Sequence, residues 1–150
     1  MDAVSYPHPK VIEFFSKYLV PVRVEISSQP LPKRFKVQWT PMLVTLDETG
    51  EEHHRTVGFL PPEELVPSLM LGNGKSYFDR ERFAESEQTL DQLLAEYPRS
   101  DASPEATYYR GVGRYKRTHK AEELKKTIEA LQKNFPQSEW AKRASVYTLL

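Results

Sequence analysis

The sequence contains no cysteine. That absence removes disulfides, thiolate catalysis and cysteine-ligated zinc or iron–sulfur centres from the chemistry open to this chain. Net charge is missing too, since 21 Lys+Arg balance 21 Asp+Glu. General nucleic-acid binding draws on a basic excess, so no nucleic-acid partner is expected. No apolar run approaches the roughly 20 residues of a membrane span, and mean hydropathy is −0.62. No Lys/Arg-flanked apolar segment opens the sequence, so the expected compartment is the cytoplasm, or the periplasm if a signal segment lies upstream.

Glycine is sparse, at six residues, and no Gly-x-Gly-x-x-Gly, Walker loop or Gly-x-Ser-x-Gly occurs. Leu71 to Ser76 has the look of the end of a phosphate loop, but it lacks the first glycine and a preceding strand. The four histidines offer no chelating spacing. His53 and His54 are adjacent, so on a strand they point to opposite faces, while His8 and His119 fall in loops. All four are expected to be solvated, with no metal site. Acidic residues sit beside turns or at helix starts, where solvation and the helix dipole account for them. Nothing places two carboxylates in an apolar pocket. No catalytic residue and no cofactor is expected.

What is present divides unevenly along 150 residues, of which 39% are hydrophobic and 28% charged. Residues 1 to about 60 carry the strand-like segments. Val11, Phe14, Phe15 and Tyr18 have helical spacing behind Pro9, a good first helical residue. Val20, Val22, Val24 and Ile26 alternate with Pro21, Arg23 and Glu25, which predicts a strand over 19–26 with one buried face. A polar connection follows, with one helical turn near Lys33 to Lys36. Met42 to Leu46 predicts a buried strand, Asp47 to Gly50 a turn, and His54 to Phe59 the return strand of a hairpin. Pro61-Pro62-Glu63-Glu64 opens a helix that runs to about Asp79 with Gly72 and Gly74 inside it. Each such glycine weakens a helix by about 1 kcal/mol relative to Ala, so a close helix crossing is expected there. Further helices are predicted over 82–97, 104–116, 121–135 and 139–150.

An internal repeat is visible in this helical half. Tyr97-Pro98-Arg99-Ser100 recurs as Phe135-Pro136-Gln137-Ser138, so that Leu90 falls on Ile128, Leu93 on Leu131, Ala106 on Ala144 and Tyr109 on Tyr147. A helix pair repeating at this spacing marks a helical solenoid. Small residues at crossings, aromatics in the gaps and proline after the second helix resemble tetratricopeptide repeats, over about 63–150.

The first half has a likeness of its own. The ordered set Trp39-Thr40-Pro41, strand Met42 to Leu46, turn Asp47 to Gly50, return strand ending Val57-Gly58-Phe59, then a helix from Pro62, resembles the C-terminal part of a thioredoxin fold. The resemblance covers about 1–71. It implies a cis bond before Pro41 and peptide binding by the Trp39, Thr40, Pro41 loop, with Thr40 as the residue that pairs with the peptide. The family's first strand and its Cys-x-x-Cys turn have no counterpart here, and Met1 to Tyr6 resembles the stretch just after the second cysteine. Three arrangements would satisfy the strand at 20–26: an upstream segment, direct pairing with Met42 to Leu46, or a second chain.

The expected architecture is therefore α/β, a truncated thioredoxin-like sheet with helices over 1–71, plus tetratricopeptide-like helical hairpins over 72–150. The aromatic cluster of the second half is expected to pack between helix pairs, with a possible repeat groove formed by Tyr108, Arg110, Arg114, Tyr115 and Arg117. The local basic run there suits an acidic peptide. The expected function is a non-catalytic protein-interaction module with a protein or peptide partner. The alternative is the C-terminal part of a thiol–disulfide oxidoreductase whose Cys-x-x-Cys lies upstream. A homodimer through the open strand edge is a further expectation.

Overall fold

The computed structural model describes residues 1–149. It is a mixed, helix-rich structure with one small antiparallel sheet. The order is α1 (Pro9–Tyr18), α2 (Leu31–Arg34), β1 (Met42–Leu46), β2 (Glu52–Val57), α3 (Pro62–Asp79), α4 (Phe83–Glu96), α5 (Ser103–Thr118), α6 (Glu122–Asn134), α7 (Glu139–Ala144) and a short 3-10 helix, Ser145–Leu149.

The strand expected over 19–26 does not form. Residues 19–25 have no regular secondary structure, Ile26 begins a turn, and the sheet has two strands, β1 beside β2. Pairing with Met42 to Leu46 is thereby excluded in this structure. The alternation predicts the pleat correctly, but a strand also needs a neighbour to take its backbone hydrogen bonds, and none approaches among the described residues. The return strand also ends earlier than expected, at Val57.

Helix α3 is the centre of the molecule. Pro62 sits in its first turn with Glu63 and Glu64, matching the positive end of the dipole. Buried residues then surround it: Leu65, Val66, Leu69, Met70 and Leu71 join Val11 and Phe14 of α1 with Leu90 and Leu93 of α4 and Ala102 and Ala106 around the start of α5 in one core. The boundary expected between 71 and 72 falls inside this helix, and the core runs across it. The hairpin, α1, α4 and α5 all pack on α3. The glycines expected to mark a crossing do so on two fronts. A Cβ at Gly72 would collide with Thr45 of β1, and one at Gly74 with Leu90 of α4.

The helices beyond α3 repeat their geometry. The caps that end α4 and α6 are Tyr97 (φ −131°, ψ 56°) and Phe135 (φ −140°, ψ 50°). Each donates its backbone N–H at 2.8 Å to the leucine four residues earlier, Leu93 and Leu131. A tight turn follows in both cases, and Ser138 Oγ caps α7 by accepting the Ala141 N–H at 3.1 Å. Leu90, Leu93, Ile128 and Leu131, which the repeat aligns in pairs, are all buried.

Close approach of α5 and α6 depends on Gly111, where an added Cβ would overlap the short, branched Thr127 side chain. At Gly113, in the same helix, the nearest atom to such a Cβ is a Phe78 ring carbon at an ordinary 3.6 Å. Gly111→Ala is therefore expected to destabilise by about 1–3 kcal/mol through overpacking. Gly113→Ala is expected to be neutral or to stabilise by up to about 1 kcal/mol through helix propensity. Urea unfolding of the two variants beside the parent checks both signs.

Candidate functional site

Three places bear on function: the loop before β1, the surface of α5, and the turn of the hairpin.

The loop Trp39, Thr40, Pro41 precedes β1 on the surface. The Thr40–Pro41 peptide bond is cis, as is Gln29–Pro30. Trp39 is 71% exposed, and Thr40 is exposed beside it. The Pro41 carbonyl accepts the Gly58 N–H at 2.8 Å, which closes the open end of the hairpin. Among the described residues no backbone bond engages Trp39 or Thr40.

The residues proposed as one groove on α5 are split between two faces of the helix. Tyr108 faces α7: its hydroxyl accepts from Tyr147 at 2.9 Å and its ring packs on Trp140 with centroids 5.0 Å apart. Tyr115, seven residues on, shares that side of the helix by its 3.6-residue period and is half-buried. Arg110, Arg114 and Arg117 point the other way, to α4. Arg110 donates to Asp91 at 2.9 Å, Arg114 to Glu87 at 2.7 Å and Asp91 at 3.1 Å, and Arg117 to Glu87 at 2.9 Å. The single groove therefore does not form. The reason is angular, because residues 108 and 110 lie about 200° apart on a helix. The basic run is also matched by acids of the preceding helix, which the sequence places in a different element.

A concave feature exists nearby. A groove of about 430 Å³ runs between the C-terminal ends of α4 and α6, with α5 as its floor. Leu94, Pro98, Ala130 and Phe135 give it apolar walls, and Arg99, Thr107, Arg110 and Asn134 give it polar ones. The Nε of Arg110 is buried and has no hydrogen-bond partner among the described residues. Of the arginines expected on this surface only Arg110 lines it. Arg99, part of the repeated Tyr-Pro-Arg-Ser turn, was not expected as a site residue.

The hairpin turn contains the most concentrated polar cluster. Asp47 Oδ1 accepts the Thr49 N–H at 2.9 Å, the Thr49 hydroxyl at 2.7 Å and the Glu51 N–H at 3.0 Å. Gly50, with φ +81°, lets the chain reverse there. The register between the strands then slips: Thr45 pairs with His54 but Leu46 with Glu52, so His53 is the extra residue of a bulge. The bulge turns His53 inward. Its side chain is 2% exposed, with Nε2 3.1 Å from Asp47 Oδ2 and Nδ1 2.8 Å from Asp79 Oδ2 at the end of α3. The expectation that His53 is solvated is thus corrected. Arg80 adds a second tie from α3 to the turn, through Glu48 at 2.6 Å.

The two histidines do face apart, and their environments push them in opposite directions. Burial alone would lower the His53 pKa, but the hydrogen bonds and charges of Asp79 and Asp47 outweigh it and raise it. The Thr49 and His53 hydrogen bonds hold the Asp47 carboxyl well below the usual range. His54 lies near Ser68, at 3.4 Å, and burial with the charge of Lys75 lowers it to about 4. Asp47, Glu51 and His53 are the one group of potential metal ligands that converge among the described residues. Both His53 nitrogens already face carboxylates, an arrangement that suits a proton-bearing imidazolium joining hairpin to helix. The bulge that builds it leaves no periodic signal in the sequence.

Comparison with protein-family models, with curated proteins and with solved structures finds no match for this chain.

The signs of these shifts give stability a maximum near neutral pH. His54 must stay neutral to remain folded, so its contribution is present above pH 6.5 and is lost as pH falls toward 4. His53 holds its proton more tightly when folded, so its contribution is complete below pH 6.5 and is lost as pH rises through the raised value. The urea midpoint is expected to peak near pH 6.5 and to fall on both sides. His53→Gln is expected to flatten the alkaline limb and leave the acid limb in place, which a series of urea titrations at fixed pH values measures.

Proposed function

We propose that the protein is a non-catalytic protein-interaction module that combines a thioredoxin-like segment with tetratricopeptide-like helical hairpins. The order β1, turn, β2, α3 behind the Trp39-Thr40-Pro41 loop supports the first assignment. The matching caps of α4 and α6 support the second. The absence of cysteine favours binding over thiol chemistry.

The observation that carries the reading is the groove between α4 and α6, which Arg99 and Arg110 line together with apolar side chains. The Arg110 side chain stays partly exposed while Asp91 holds its Nη1 at 2.9 Å, and a guanidinium suits a ligand carboxylate. Arg99 adds a cation on the same groove, and Leu94 and Phe135 add apolar contact. The fitting ligand is a short peptide segment with one carboxylate flanked by an apolar side chain. Arg114 and Arg117, held by Asp91 and Glu87, stay outside this role.

Selection of displayed peptides against the whole chain tests this. Recovered peptides are expected to be rich in Asp or Glu beside an apolar residue, and to bind Arg99→Glu at least about tenfold more weakly. Arg143→Glu, on α7, is expected to leave their binding unchanged. Selected peptides that bind Arg99→Glu and Phe135→Lys as well as the parent would overturn the proposal.

A further inference from the structure

Residues 20–25 have a strand-like sequence, no regular secondary structure and no strand partner, and Ile26 opens the turn that follows. Val20, Val22, Val24 and Ile26 expose 90, 75, 41 and 57% of their surface. Such a row of apolar side chains beside unpaired backbone is a template for pairing with another strand. We propose that this segment is a dimerisation strand: two copies pair antiparallel through it, about a two-fold axis at Val24.

Three features select a second copy in this register. The first is charge. In an antiparallel pair centred on Val24, Arg23 lies opposite the partner's Glu25, and Glu25 opposite the partner's Arg23. The sequence Val22-Arg23-Val24-Glu25-Ile26 is thus complementary to itself, with Val22 facing the partner's Ile26 on the other side of the ribbon. Arg23 and Glu25 are both well exposed, at 72% and 67%, and stand 3.4 Å apart on the same side of their own strand. Arg23 also meets Asp2 at 3.2 Å, and both it and Glu25 stay exposed enough to reach the same pair on another copy.

The second feature is which edge of the strand is open. Backbone groups of alternate residues point to opposite edges. On the odd-numbered edge Pro21 has no N–H to give, and the Glu25 carbonyl already accepts the Ser28 N–H at 2.9 Å. On the even-numbered edge the N–H and C=O groups of Val22, Val24 and Ile26 have no backbone partner among the described residues. Pairing through that edge about Val24 makes two mutual hydrogen bonds at Val24, and about four more where Ile26 leaves its turn to meet the partner's Val22.

The third feature follows from the first two. With Val24 at a hydrogen-bonded position, residues 23 and 25 fall at non-hydrogen-bonded positions. There facing side chains approach most closely, with Cα atoms about 4.5 Å apart. The charge pairs therefore sit where they interact best, and Pro21 falls where its missing N–H costs nothing. Such an interface is isologous and closes at two copies.

Sedimentation of the whole chain from about 1 to about 500 µM tests the proposal. The parent is expected to reach twice its 17.4 kDa mass with rising concentration. Arg23→Glu or Glu25→Arg alone sets like charges opposite each other twice, and each is expected to weaken the dimer at least about tenfold. The double variant restores both pairs with the charges exchanged and is expected to dimerise as the parent does. The two single variants mixed together are likewise expected to form a heterodimer, because all their facing charges are then opposite. These positions are exposed, so circular dichroism should show all four proteins equally folded. A parent that stays monomeric throughout the range would overturn the proposal. So would a dimer that the single variants do not weaken, or single variants that fail to associate when mixed.

Discussion

The structure depends on how closely other elements can approach one helix. α3 receives α1, the hairpin, α4 and α5, so nearly every turn of it carries buried residues. A helix in that position has no polar face to turn to solvent. It must present small residues wherever a neighbour's backbone crosses, and Gly72 and Gly74 do so toward β1 and α4 in turn. The hairpin could not sit against a bulkier helix, and without it the Gly72 face of α3 would be bare. α1, α3, α4 and the start of α5 therefore share one core, while α6 and α7 close a second, smaller one.

Electrostatics then fixes the parts that packing leaves loose. A two-stranded hairpin is marginal alone, and this one is tied to the end of α3 by His53 to Asp79 and Glu48 to Arg80. The α4–α5 contact carries a comparable set of ties, Arg110, Arg114 and Arg117 against Glu87 and Asp91. Part of the balanced net charge is thus spent on pairings that join elements distant in sequence.

Much of this was legible in the residues. The helix pattern, the Met42 to Leu46 strand, the turn at Asp47 and the crossing implied by Gly72 and Gly74 all follow from periodicity and local chemistry. What was not legible depended on partners. Alternation at 20–26 specifies a pleat, yet a strand exists only where a neighbour supplies hydrogen bonds. Adjacent histidines look equivalent in a sequence, and only the one-residue slip opposite Leu46 separates a buried His53 from a half-buried His54. The arginines of α5 read as a free basic surface because their acidic partners lie some 20 to 30 positions earlier, on a helix whose orientation the sequence does not state. The groove at Arg99 was missed for a similar reason: its walls come from the ends of two helices that meet only through the repeat.

That repeat has a consequence for how such a molecule can change over time. α6 and α7 pack on α5 and on each other, and do not reach α3 or the hairpin. Each helix pair thus depends only on the pair before it. Duplication of a whole unit, from one aromatic-proline turn to the next, would add a layer and a fresh groove while leaving the hairpin and its ties to α3 undisturbed. Insertions within α1 or the hairpin enjoy no such freedom, because both lean on the same helix. The helical half can be lengthened by simple gene events, whereas the sheet half can be altered only by compensating changes on α3.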